Sequence, residues 1–266
     1  AVTIAGAREP LADILAEEFK SSSSGPCTVI ARNAKASLHD AALINGAVSH
    51  ALDYDDVNRL MHGHPTVPVA GSVIALGEMM GKSGRDVLTA FIAGYEVECR
   101  LGDMCGDGHY EHGFHATGTV GTFGAAAGAA NLLGLDAGKT AMALGIAASE
   151  ASGLKINFGT MTKPLHAGHA ARDGILAVML GAQGLTASAS ALEGRDGFFE
   201  NFARGLEWSL APFADLGKSY DLAEYGYKLK PYPSGGLGHT AIDAALELRS
   251  EVALSEIAAV EVAITK

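Results

Sequence analysis

The stretch FHATGTVGTFGAAAGAANLLGLDA, residues 114 to 137, constrains the fold more than any other part of the chain. It holds glycine, alanine and threonine almost throughout and no charge before Asp136, so a helix made from it presents small side chains on every face. Such a helix is stable only when neighbours press against it from several sides at short distance. The expected helix runs from Thr119 to Leu133 and stops at Gly134, where glycine accommodates a left-handed C-cap. The bias extends to the whole chain: 34 glycines and 6% aromatics point to helices spaced by small residues rather than by aromatic plugs.

The rest of the chain follows the helical period. Helices are expected from Leu38 to Leu52, Pro68 to Met80 and Gly84 to Leu101, then from an Asp136 cap through Ala151, and from Pro164 to Gln183. Ser190 with Glu193 reads as a capping box before GRDGFFENF, and a last helix covers Thr240 to Arg249. Ser21–Ser24 with Gly25-Pro26 is a loop, followed by a short extended segment in CTVIARN. The fold class is therefore mainly α. Glu256 to Thr265 instead alternates with the period of a strand, so residues 1–252 form the helical domain and 253–266 begin a second, strand-containing one. With Ala1 in an apolar segment and the alternation breaking off at the last residues, the chain reads as part of a longer protein.

With 266 residues, 48% of them hydrophobic, the chain can bury a sizeable core. A formal charge of -11 with no offsetting basic run sets aside nucleic acid and anionic membranes as partners. An anionic substrate then requires cations gathered locally, which makes each clustered Lys or His informative. Cys27, Cys99 and Cys105 show no paired spacing, which fits free structural thiols in a reducing, cytosol-like compartment. No apolar stretch reaches membrane-spanning length, and no signal peptide opens the chain.

Four segments carry candidate chemistry. In HALDYDDVNRLMHGHPTVP, Asp53, Asp55 and Asp56 precede His62 and His64, a mixture of carboxylates and imidazoles suited to proton transfer. The alternatives are a solvated acidic turn, or a magnesium site of the D-x-D-D kind, for which a second acidic cluster is missing. In GHYEHGFHATGTVG, His109, His112 and His115 are spaced for one helical face and a zinc ion, but Gly108 and Gly113 favour a loop. Thr117 and Thr119 read as caps of the small-residue helix, leaving its N-terminal amides to an anion. In TMTKPLHAGHAARDG, Lys163 and His166 flank Pro164 at a helix start, an arrangement that attracts a carboxylate or phosphate, while Arg172 reads as an ordinary helix-face residue. In YKLKPYPSGGLGHT, Lys228 and Lys230 precede a proline- and glycine-rich loop able to act as a lid hinge. Nucleotide-binding glycine loops and serine-hydrolase elbows are missing.

These segments, in this order, resemble the MmgE/PrpD family, which includes 2-methylcitrate dehydratase, cis-aconitate decarboxylase and an iminodisuccinate epimerase. The likeness runs from AGAREP through NGAVSHALDYDD, HPTVPV, FHATGTVGTFGAAAGAANLLGLDA and TKPLHAG to KPYPS. It implies a large helical domain with a smaller α/β lid domain, a homodimer, no metal and no organic cofactor. It implies catalytic roles for Asp53, His64, His115 and Lys163 and a place for Lys230 on the substrate, a small anionic polycarboxylate, where the helix starts read above also put His166 and Thr117. The expected activity is that of a cytoplasmic, cofactor-independent lyase like 2-methylcitrate dehydratase. Alternatives are decarboxylation of the cis-aconitate type, epimerisation of the iminodisuccinate type, or a non-catalytic polycarboxylate-binding fragment. Two departures bear on the substrate: Val57 and Asn58 stand where relatives often have Thr, and YPSGGLGHT replaces a Cys or basic residue after the lysine loop.

Overall fold

The computed structural model describes residues 1–203 and 208–263. Two short helices, α1 (Val2–Gly6) and α2 (Pro10–Glu18), lead through a single 3-10 turn to a hairpin of β1 (Cys27–Val29) and β2 (Ala34–Ala36), antiparallel with Cys27 opposite Ala36. The long helices follow: α3 (Leu38–His50), α4 (Thr66–Met80), α5 (Gly84–Glu111), α6 (Ala116–Leu133), α7 (Ala137–Glu150) and α8 (Thr162–Ala182). Short helices α9 (Phe198–Phe202) and α10 (Asp221–Glu224) and the exposed α11 (His239–Leu248) complete the described chain.

Helix α6 lies at the centre, against α4, α5, α7 and α8, and only Asn131 and Leu133 near its end escape full burial. Its composition makes that position possible. Helix α8 crosses α3 so closely that a Cβ on Gly168 would stand 2.3 Å from the Leu43 carbonyl oxygen. The one aromatic side chain of α6, Phe123, is fully buried and meets Phe198 edge-on at 4.7 Å, anchoring α9 to the core. Its burial contributes roughly 1.5–3 kcal/mol. Capping follows the local chemistry. Ser37 accepts from the Asp40 amide, Asp136 from the Lys139 amide, and Gly134 takes the left-handed conformation at φ 67°.

Some expectations are corrected. Helix α5 continues past Leu101 to Glu111, because Gly106 absorbs a kink at φ 55° and helical bonding resumes beyond it. Ser190 and Glu193 form no capping box. Residues 189–197 are successive turns, the Ser190 hydroxyl pairs with Ser188, and α9 starts only after Asp196 has turned the chain at φ 61°. Thr117 and Thr119 do not cap α6, whose N-cap is His115. The alternating tail pairs with no other segment: through residue 263 it has no ladder partner among the described residues, and a strand exists only when its amides and carbonyls find one. Residues 264 and 265 of that expectation lie outside the described residues.

The helix ends place the site. The C-terminus of α3, the N-termini of α4, α6 and α8, and the loop from Tyr225 to Gly238 all converge on one side of the bundle.

Candidate active site

The chain leaves α3 at His50 and turns sharply through Asp53, whose φ of 49° is left-handed, a conformation that Asp tolerates better than most residues. That turn aims the Asp53 carboxylate into a cleft of about 660 Å³, which His64, His115, Lys163 and Lys230 also line. Lys163, in the first turn of α8, lies 2.8 Å from Asp53 Oδ1. Lys230 reaches the same oxygen at 2.6 Å and also donates to the backbone carbonyls of Asp53, at 2.8 Å, and Ser234, at 3.2 Å. Two ammonium groups therefore share one carboxylate oxygen. Burial raises the Asp53 pKa, but the hydrogen bonds from Lys163 and Lys230 outweigh it and leave the group below its usual value.

Imidazoles occupy the opposite wall. His115 Nδ1 lies 3.0 Å from His166 Nδ1, one nitrogen donating and the other accepting. Phe158 meets the His115 ring edge-on at 4.8 Å. Burial, followed by the positive fields of His50, His64 and Lys163, holds the His115 pKa well below the usual histidine value; burial, His169 and Lys163 lower that of His166. Both rings are neutral near pH 7. The backbone amide of His64 donates to Thr117 Oγ1 at 3.0 Å, tying the chain before α4 to the first turn of α6. Thr117 is fully buried, so its hydroxyl braces His64.

All seven residues expected at the site, Asp53, His64, His115, Thr117, Lys163, His166 and Lys230, meet at or directly behind this cleft. The zinc-spaced histidines do not converge. His109 is spent on the Phe202 carbonyl and the Thr119 hydroxyl, at 2.8 and 2.7 Å, and His112 on the Gly108 carbonyl. Arg172 pairs with its neighbour Asp173. The three carboxylates of D-x-D-D also separate: Asp53 faces the lysines, Asp55 faces His50 and His64, and Asp56 turns toward Thr66.

Sequence reasoning missed His50, and named Asp55 only as one member of the acidic cluster. Asp55 Oδ1 and Oδ2 lie 2.9 and 3.0 Å from His50 Nδ1, and Oδ2 is 3.1 Å from His64 Nδ1. Burial dominates at His50 and pushes its pKa down to about 4. The available signal was the spacing from His50 to Asp55, which lets a residue at a helix end meet the loop that follows. One donor atom from each of His50, Asp53, Asp55 and His64 falls within a 4.8 Å group, close enough to hold a metal ion. The Lys163 and Lys230 ammoniums already neutralise the Asp53 donor and would repel such an ion, so the donor set fits proton chemistry better. A second cleft, of about 680 Å³ between α5 and residues 216–223, is mainly apolar; its Glu96 carboxylate is occupied by the amides of Asp221 and Leu222.

Residues 1–211 match the MmgE/PrpD N-terminal domain. The chain is similar to the cis-aconitate decarboxylase of Homo sapiens, 34% identical over 224 residues, covering 80% of this chain and 44% of the relative. The Mus musculus cis-aconitate decarboxylase is 34% identical over 228 residues, covering 81% and 45%. That of Aspergillus terreus is 30% identical over 237 residues, covering 85% and 48%. The chain spans a little under half the length of these relatives. A match over most of its residues to one family, with identities of this size over four fifths of its length, fixes the classification: the chain belongs to the MmgE/PrpD family.

Proposed function

We propose that this chain carries the substrate cleft of a lyase for small polycarboxylates, and that its reaction is decarboxylation of the cis-aconitate type. The observation that carries the reading is the meeting of Lys163 and Lys230 on one oxygen of Asp53, facing the neutral His115–His166 pair. Lys163 keeps donors free for a substrate carboxylate, Lys230, whose three donors are taken by Asp53 and Ser234, adds its charge, and Asp53 holds the two at a fixed separation. The names of the relatives favour decarboxylation over the dehydration of 2-methylcitrate. On the same reading the protein is a cytoplasmic homodimer, and residues 253–266 begin an α/β lid domain, with Val260 and Val262 exposed for a neighbour to cover.

The chemistry follows from charge. When a carboxylate leaves as carbon dioxide, its bonding electron pair passes into the adjoining alkene and the remaining carboxylate, where the lysines stabilise it. A proton must then reach carbon. In the cleft alone His115 stays neutral, but a bound polyanion opposes the lysine field and favours the imidazolium. An imidazolium held in a dry, cationic wall is a strong acid and gives its proton up readily. Dehydration would use the same wall in reverse order, with neutral His115 removing a proton beside a carboxylate before hydroxide leaves.

Proton NMR in heavy water, with a chelator present, against cis-aconitate, 2-methylcitrate, citrate and iminodisuccinate tests the reading. Decarboxylation gives a new terminal alkene carrying deuterium, dehydration an alkene from a hydroxy acid, and epimerisation exchange without an alkene. Silence with all four would remove the lyase reading and leave a polycarboxylate-binding module.

A further inference from the structure

We propose that Asp55, braced by His50, is a positioning residue that fixes His64 with a proton on Nδ1 and its Nε2 turned to the cleft. The kinetic part of this inference rests on the lyase reading; the structural part does not. Asp55 is 4% exposed and His50 1%, so both are out of water. An ionised carboxylate only accepts, so hydrogen is favoured on the ring nitrogen nearer to one, and the Asp53 oxygen beside Nε2 is already taken by two ammoniums. His50 Nδ1 donates to both Asp55 oxygens at 2.9 and 3.0 Å. The His50 and His64 rings meet edge to face, with centroids 4.4 Å apart. His64 Nδ1 then approaches Asp55 Oδ2 at 3.1 Å, while its Nε2 faces Asp53 Oδ1 at 3.4 Å. The Asp55 contact is a close approach rather than an aligned bond, and catalytic hydrogen bonds commonly tighten only when substrate is held. With its backbone tied to Thr117 and its inner nitrogen 3.1 Å from Asp55, the ring turns its other nitrogen toward Asp53 and the lysines. The charged and titratable groups around His64 are Asp53, Asp55, Asp56, His50, His115 and Lys163. Asp55 is the nearest to its inner face.

The arrangement divides labour between neighbouring aspartates. Asp53 touches the lysines and the cleft. Asp55 touches neither and acts through His64.

The test combines histidine-selective ¹⁵N NMR of the wild-type protein with the variants Asp55→Asn, His64→Ala and the double variant. Wild type is expected to show hydrogen on His64 Nδ1, whatever the protein turns over, and Asp55→Asn to lose or strongly shift that signal. Asp55→Asn is expected to lower kcat about 10-fold or more, within the range for a misplaced general acid or base, while KM stays within about 2-fold. In the His64→Ala background it is expected to cost nothing further, because its effect passes through that ring. A bare Nδ1 in wild type would overturn the proposal without any variant having to fold. Fully multiplicative losses in the double variant, or a change confined to KM, would overturn it as well. If none of the four polycarboxylates is turned over, the lyase reading fails while the NMR measurement still decides the role of Asp55.

Discussion

The two walls of the cleft are built in opposite ways. One comes from α3, α4, α6 and α8, where His50, Asp55, His64 and His115 are buried against close-packed small residues. The other comes from the loop around Lys230, where Leu229 and Leu237 are 75% and 91% exposed and Gly236 has open space where a side chain would go. Groups that must hold proton-transfer geometry stand on the rigid wall, because close packing fixes their rotamers. The second lysine facing an arriving anion stands on a largely exposed loop. Lys230 itself is only 9% exposed, held inward by Asp53 and Ser234, so the loop is pinned at one cation.

That contrast can be broken from either side. The largest effect is expected on the rigid wall: His115→Ala should lower turnover about 10²- to 10⁴-fold, the usual range for a lost acid or base, with the fold intact by circular dichroism. Gly168→Val should destabilise the protein by about 3 kcal/mol or more in denaturant titration, since its new side chain would run into the Leu43 carbonyl. Lys230→Met should act mainly on binding, raising KM roughly 10- to 100-fold because one of the two cations facing the substrate is lost, with a smaller effect on kcat. On the loop, Gly236→Ala should change stability by no more than about 0.5 kcal/mol.

The buried imidazoles give the rigid wall a pH signature. His50, at about 4, and His115, well below its usual value, refuse protons in the folded state that they accept in the unfolded chain. Their contribution is complete above about pH 6.5 and is lost as pH falls toward 4, because the unfolded state binds more protons across that window. Asp56, pushed up to about 6 chiefly by burial, works in the opposite sense: its contribution is present at low pH and lost as pH rises through 6. Replacing His50 by Gln should therefore flatten the acid side of the stability profile, by at most about 1.4 kcal/mol per pH unit, as read from denaturant midpoints between pH 4 and 6.5.

Much of the rigid wall was legible in the sequence. The small residues of α6 announced close packing, Gly134 and Asp136 marked a helix end and start, and the clustering of His and Lys at helix boundaries located the cleft. His50 was not legible, because a histidine on a buried helix face looks like core until the following turn brings Asp55 back to it. Helix α5 runs past its expected end at Leu101, because the chain kinks at Gly106 and then resumes helical bonding, a continuation that the local pattern does not show. The tail from residue 256 shows what a pattern alone leaves open. Alternation states that a segment suits a sheet, but strand structure needs a partner that the pattern does not supply.

The central claim is that this cleft removes a carboxylate from a polycarboxylate using its own lysines and histidines. The most direct measurement follows carboxyl-¹³C-labelled cis-aconitate by ¹³C NMR with wild type, His115→Ala and Lys163→Ala, all in the presence of a chelator. Labelled carbon dioxide and bicarbonate should appear with wild type and fade to near background with either variant. Substrate that keeps all its label with wild-type protein, or label released equally well by His115→Ala, would contradict the account.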